Sequence, residues 1–247
     1  MFNPLEQFET ILMKALSFLG LFDISWTTFS HTLFLTTLII ALFFFCILQS
    51  IMLIPDYVQS LAELIYSFLY NVLKQQAGQK AHGYFPIVVL LFIFILTNNL
   101  FGLSPISFTT TAQFVLTLFL AFSLNFGLII IGFLEHGMGF LKKFLPTGTP
   151  LWLLPFLSII EVVSYLIRTI SLSVRLFANM LAGHALMHII ESAFVILNSK
   201  VGHVAIFGST LVILAVLILE FGIAFLQAYV FVVLFCIYLS ESLEIAH

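Results

Sequence analysis

The chain has 247 residues, of which 62% are hydrophobic and 8% charged, against roughly 25% charged in a soluble domain. Its 8 basic and 11 acidic side chains could not cover a water-facing surface, and the mean hydropathy of +1.21 makes lipid the main solvent. This excludes a soluble enzyme, a disordered chain and a nucleic-acid binder with its basic surface, while a net charge of −3 says little about partners.

Leu5, Phe8, Leu12, Ala15, Leu16 and Leu19 recur at helical spacing, interrupted by Glu6, Glu9 and Lys14. They predict an amphipathic helix at the membrane surface within an N-terminal segment 1–28. Residues 32–54 carry no charge, long enough for one transmembrane helix, and Pro55-Asp56 ends it. Val58, Leu61, Ile65, Phe68, Leu69 and Val72 form a second apolar stripe with Glu63 and Lys74 off it. That pattern predicts a helix lying along the interface. Residues 83–134 are free of charge and too long for one span. Asn98, Asn99, Gly102 and Pro105 divide them into spans 84–103 and 108–134. Residues 135–155, with their Gly, Pro and Lys142-Lys143, read as an interfacial connection. Peripheral helices thus fill 29–151.

Residues 152–247 differ. Pro155 is the last proline, and 156–197 hold one glycine, Gly183. Asn198 to Gly202 is a turn signal, and 204–240 is again helix-compatible. Each leg would be roughly 55–63 Å long, while the hydrocarbon core is about 30 Å thick. Either the legs break where no breaker is visible, or they form a long, steeply tilted hairpin. Length favours the tilt. The fold class is therefore all-α integral membrane. Lys74, Lys80, Lys142 and Lys143 fall on one side and Lys14 and Lys200 on the other, which places the first group in the matrix or cytoplasm.

The ionisable groups inside apolar sequence are few: Glu161, Arg168, Arg175, Glu191 and Glu220, with His184 and His188. Each charge in lipid costs about 2.5–3.5 kcal/mol or more. Their concentration in two adjacent legs points to an ion pathway; structural ion pairs stapling the legs are the alternative. At 100° per residue Glu161, Arg168, Arg175 and Asn179 follow one stripe, and His184, His188 and Glu191 lie on another face. Glu220 and Gln227 share a face of the second leg. A turn near Val201 places Arg175 opposite Gln227, His184 opposite Glu220 and Glu161 near Glu241. Two polar clusters result, with Arg175 between them. His184 and His188, with Glu191 on their face, also have the spacing to hold a zinc ion. Metal ligands and channel histidines both remain open. Cys46 and Cys236 form no CxxC pair.

The run SLSVRLFANMLAGHALMH (171–188) followed by EFGIAFLQAYVF (220–231), with TNNLFGLSP (97–105), the NPLEQFE start and the IYLSESL end, resembles the a subunits of the Fo sector of rotary ATP synthases. The resemblance implies a proton-translocating stator subunit with no catalytic site of its own. It implies two offset half-channels that couple proton flow to c-ring rotation and ATP synthesis, with the hairpin 152–247 facing the c-ring. Carried over, Arg175 matches the essential arginine, Asn179 and Gln227 its ring-facing polar neighbours, and His184 and Glu220 the pair on the proton uptake path. Glu161 matches an acidic residue of the release path. His188 recurs in mitochondrial relatives, and the motif fixes Arg168 and Glu191 less clearly. The implied partners are the c-subunit ring, other Fo stator and peripheral-stalk subunits, lipid and protons, and no nucleic acid. The order His184 before Glu220 resembles the mitochondrial and alphaproteobacterial branch, so the expected location is the mitochondrial inner membrane or, alternatively, an alphaproteobacterial plasma membrane. No cofactor is required, zinc at His184 and His188 aside. The competing readings are a self-contained channel or carrier, for which no internal repeat is seen, and a structural membrane subunit of another respiratory complex.

Overall fold

A computed structural model describes residues 12–18, 22–49, 55–103, 109–144 and 152–243. Five of its helices are long and apolar enough to cross a membrane: Thr28–Gln49, Gln79–Gly102, Phe114–Phe140, Phe156–Met187 and Thr210–Leu243. In lipid the backbone must satisfy its own hydrogen bonds, and a helix does so within one segment. The outer faces are apolar to match: Leu42, Phe45 and Leu48 stand exposed on the first span, and Val115, Phe119 and Leu134 on the third.

The N-terminal expectation needs correction. Leu12–Phe18 (β1) and Phe22–Thr27 (β2) pair as an antiparallel hairpin, with Phe18 opposite Phe22 and Leu12 opposite Thr27. The helical stripe of 5–19 therefore does not form a helix over 12–18; residues 1–11 lie outside the described ones. The overlooked signal is Phe22-Asp23-Ile24-Ser25-Trp26-Thr27, which alternates apolar and polar at period 2. A strand-patterned partner a few residues away outcompetes a helix that only its own periodicity supports.

Helix α1 (Thr28–Gln49) starts four residues before the expected span. Its start is fixed by reciprocal capping. The Ser30 N–H donates to Thr27 Oγ1 at 3.3 Å, and the Thr27 N–H donates to Ser30 Oγ at 2.9 Å. Helix α2 (Tyr57–Ala77) carries the predicted stripe. Only its C-terminal part is buried, at Leu69, Val72 and Leu73, while Val58 and Leu61 are exposed. A short 3-10 turn, Gln79–Tyr84, leads into α3 (Phe85–Gly102), and a second, Thr110–Ala112, precedes α4 (Phe114–His136). Helical backbone then runs over 90 residues as α5 (Leu154–Leu243).

That stretch cannot be straight. Arg168 and Glu241 lie 73 positions apart yet meet at 3.0 Å, where a straight helix would hold them about 110 Å apart. Gly183 likewise lies against the Glu220 side chain. The midpoints of these two pairs fall between positions 201 and 205, close to the expected turn, but residues 198–202 themselves are helical, so the chain reverses without the turn that Asn198 to Gly202 predicted. The apolar legs, 32 and 34 residues long, each measure roughly 50 Å, well over the ~30 Å of hydrocarbon.

The chain forms two compact units. The first comprises residues 1–45, 93–113 and 176–228. At its centre Met180, Ala224 and Ala112 are buried together, with Leu100 and Leu103 packed on them. Alanine at 224 lets backbones approach closely, as membrane helices require. The second unit comprises residues 46–92, 114–175 and 229–247. Phe68 packs between the rings of Phe92 and Tyr229 at 6.2 and 5.7 Å. The Phe140 ring lies over Gly132, where no side chain would fit. His136 Nε2 is 3.1 Å from the Leu243 carbonyl oxygen.

Candidate functional site

The first unit encloses a small cavity of about 10 Å³, close to the space one water needs. Asn179, Met180, Gly183 and His184 line it from the first leg of α5, Glu220 and Ile223 from the return leg, and Leu103 from the end of α3. Gly183 makes this possible. A Cβ there would sit 3.3 Å from Glu220 Oε1 and 3.4 Å from its carboxyl carbon. A single methyl group there would push the carboxyl by a few tenths of an ångström, and a branched side chain would take the place the carboxyl holds between the legs. Glu220 is 6% exposed, so it is a carboxyl group taken out of both lipid and bulk water.

The sequence reading put Asn179 and His184 on different faces, five residues and so about 140° apart. The cavity takes both because its floor is the arc between them, Met180 and Gly183. Gln227, seven residues after Glu220 on the same face, is buried. Arg175 is exposed. The side chains of His188 and Glu191 lie outside the described residues. Among the described residues no group of three His, Cys, Asp or Glu could hold a metal ion.

The second unit holds its own polar cluster. Arg168 Nη1 donates to both carboxylate oxygens of Glu241, at 3.0 and 3.3 Å, and its guanidinium lies 5.9 Å from the Tyr238 ring centroid. The expected neighbour of Glu241 was Glu161. Instead Arg168, two turns along the same stripe, takes the carboxylate, and Glu161 is half-buried. Asn125 of α4 donates to Thr169 Oγ1 beside a second cavity of about 10 Å³ that Tyr238 and Phe235 also line.

Sequence reasoning passed over several of these groups. Asn98 and Asn99 were read as breakers but lie inside α3, both fully buried. Tyr238 and Asn125 carry no signal of partnership in the sequence. The available signal was energetic, since amides in an apolar span are costly unless hydrogen-bonded.

Five helical stretches among the described residues are long and apolar enough to span a membrane, which makes this an integral membrane protein, and one of its compact units gathers a carboxyl, an imidazole and an amide around a water-sized cavity. The profile of one family, the ATP synthase A chain, matches residues 30–240. The chain is 41% identical over 245 residues to the ATP synthase subunit a of Pelagibacter ubique, covering 99% of each. It is 44% identical over 247 residues to that of Acanthamoeba castellanii, covering all of this chain and 99% of the relative. To that of Brassica napus it is 39% identical over 257 residues, covering 98% of this chain and 96% of the relative. The chain belongs to the ATP synthase A chain family. It is a multi-pass inner-membrane protein and a proton-translocating stator component of the ATP synthase membrane sector, not its catalytic subunit. It works in a complex with other ATP synthase subunits.

The Arg168–Glu241 pair yields a stability prediction. Its side chains are 38% and 35% exposed, so the pair itself stabilises little. Removing one partner strands a charge in an apolar surround. Glu241→Gln should lower the thermal midpoint of the purified complex, and Arg168→Gln added to it should recover most of the loss. A double variant less stable than either single one would contradict this.

Proposed function

We propose that this chain provides two offset half-channels against a ring of c subunits, and that protons move between them only by riding the ring. The observation that carries this reading is the cavity bringing Asn179, His184 and Glu220 together. Protons from the intermembrane space reach Glu220 and His184, two groups able to accept and pass a proton at a buried site. They neutralise a carboxylate on a passing c subunit, and the neutral site can then turn through lipid, which an ionised one could not do cheaply. After nearly a full turn the proton is released to the matrix near Glu161, with Arg168 and Glu241 setting the charge around that path. His188 and Glu191 extend the uptake side, and Asn179 and Gln227 are polar neighbours of the ring-facing surface. No step needs a metal; His184 and His188 serve as protonatable groups.

Arg175 separates the two paths. Arginine keeps its proton in proteins, so its fixed charge favours an ionised c carboxylate beside it and repels a proton crossing directly. Its exposure on α5 supports this role, since a separator must meet the ring. Each charge crossing 100 mV supplies about 2.3 kcal/mol, which rotation carries to the catalytic sector. The organelle that fits is the mitochondrion, and the peripheral stalk holds the stator still.

Cysteine crosslinking from positions 175 and 227 to the c-ring carboxylate position tests the reading. Crosslinks that form and arrest rotation are expected, and their absence at 175 would remove the separator. Gly183 offers a second check. Gly183→Ala should cost little, since the Glu220 side chain can move by a few tenths of an ångström, whereas Gly183→Val should displace the carboxyl and cut proton flux severalfold in the assembled complex. Equal flux in both variants would show that the cavity is not on the path.

A further inference from the structure

We propose that Asn98 and Asn99 of α3 act together as a positioning clamp for the Glu220 cavity, an inference that rests on the half-channel reading. Neither residue touches the cavity. Asn99 Nδ2 donates to the carbonyl oxygen of Ala224 at 3.2 Å, one helical turn after Glu220. Ala224 is wholly buried against Met180 and Ala112, so this bond fixes the rotation and height of the return leg where Glu220 leaves it.

Asn98 organises the opposite wall. Its Oδ1 accepts from Thr110 Oγ1 at 2.8 Å and from Thr36 Oγ1 at 3.1 Å, while its Nδ2 donates to the Phe94 carbonyl at 2.7 Å. Thr36, Asn98 and Thr110 are each no more than 2% exposed. One amide thereby joins α1, α3 and the turn before α4. That turn is drawn so close that a Cβ at Gly102 would meet Thr109 Cγ2 at 3.2 Å. Leu103, next in the chain, lines the cavity and packs on the Ala112–Met180–Ala224 cluster.

Two adjacent amides thus hold both the wall and the leg that carries Glu220. Interhelical hydrogen bonds between buried polar side chains are how apolar helices fix one register among many that pack equally well. The ionisable group facing Glu220 is His184 from the first leg. Residues 93–113 contribute no ionisable side chain, and neither do residues 32–45 of α1. A change in the clamp therefore acts on proton uptake by moving Glu220 relative to His184, without adding or removing a charge.

The test measures proton flux against pH in the assembled ATP synthase reconstituted in liposomes. Thr110→Val keeps the shape and removes the shorter bond to Asn98; Asn98→Leu removes the whole junction. Thr110→Val should lower flux severalfold and move the pH midpoint by about half a unit or more, and Thr110→Ser should restore both. In a Glu220→Gln background Thr110→Val should add nothing. A Thr110→Val profile that superimposes on the parent, while Glu220→Gln alone changes it, overturns the clamp and leaves the half-channel reading standing. Glu220→Gln with unchanged flux would remove that reading and the clamp with it. Should Asn98→Leu fail to assemble, the Thr110 pair still decides the matter.

Discussion

Arg175→Ala is expected to abolish both ATP synthesis driven by respiration and proton pumping driven by ATP, while the complex assembles at normal levels. Assembly should survive because Arg175 is exposed, so truncation leaves no cavity in the packed legs. Coupling should fail because nothing then keeps an ionised c carboxylate favourable at the boundary between the half-channels, or keeps a proton from crossing there. A passive leak through the membrane sector should rise. Arg175→Lys should be severely impaired as well. It keeps a positive charge in water, but a lysine ammonium gives up its proton readily when desolvated, and the guanidinium does not. Normal ATP synthesis in Arg175→Ala would refute the separator role.

Glu220→Gln should lower proton flux by at least about tenfold, the scale on which a positioned proton-transfer group acts, and should change its pH dependence. Glutamine matches the volume of glutamate, so the packing against Gly183 and the wall at Leu103 should persist. What disappears is the group that can take up and release a proton. The measurement is initial flux in proteoliposomes between about pH 5 and 9, beside the thermal midpoint of the complex. An unchanged midpoint with reduced flux locates the defect in proton transfer. Unchanged flux would take Glu220 off the uptake path.

The two predictions concern residues of α5 with opposite surroundings. Arg175 stands at an exposed position and Glu220 at a closed one. An arginine that must meet a moving partner is useful only at the surface. A carboxyl that must hand on protons in sequence needs a site that water reaches one molecule at a time, and a cavity of about 10 Å³ has that size.

Much of this was legible in the residues. The apolar runs, bounded by Pro55-Asp56 and the Lys142-Lys143 connection, located the spans, because membrane thickness sets a length that sequence either meets or does not. The absence of breakers on either side of 198–202 foretold two long helical legs, and simple register brought His184 to Glu220, although the stretch 198–202 is itself helical. The N-terminal segment misled because its helical periodicity was read alone, while strand pairing with Phe22–Thr27 depends on two segments at once. Asn98 and Asn99 misled for the opposite reason. Their local preference is for turns, and only partners far along the chain, Thr36 and Ala224, make them tolerable inside α3.

The sequence by itself determined the solvent, the number of apolar spans, the hairpin and the identity of the ionisable groups, because hydropathy, chain length and charge are additive along a chain. Tertiary structure alone decided that Asn179 joins His184 and Glu220 at one cavity, that Arg168 rather than Glu161 pairs with Glu241, and that an amide pair on α3 grips the leg bearing Glu220. Those outcomes turn on helix rotation and close approach at glycine and alanine, which are set by packing between segments and leave no local mark.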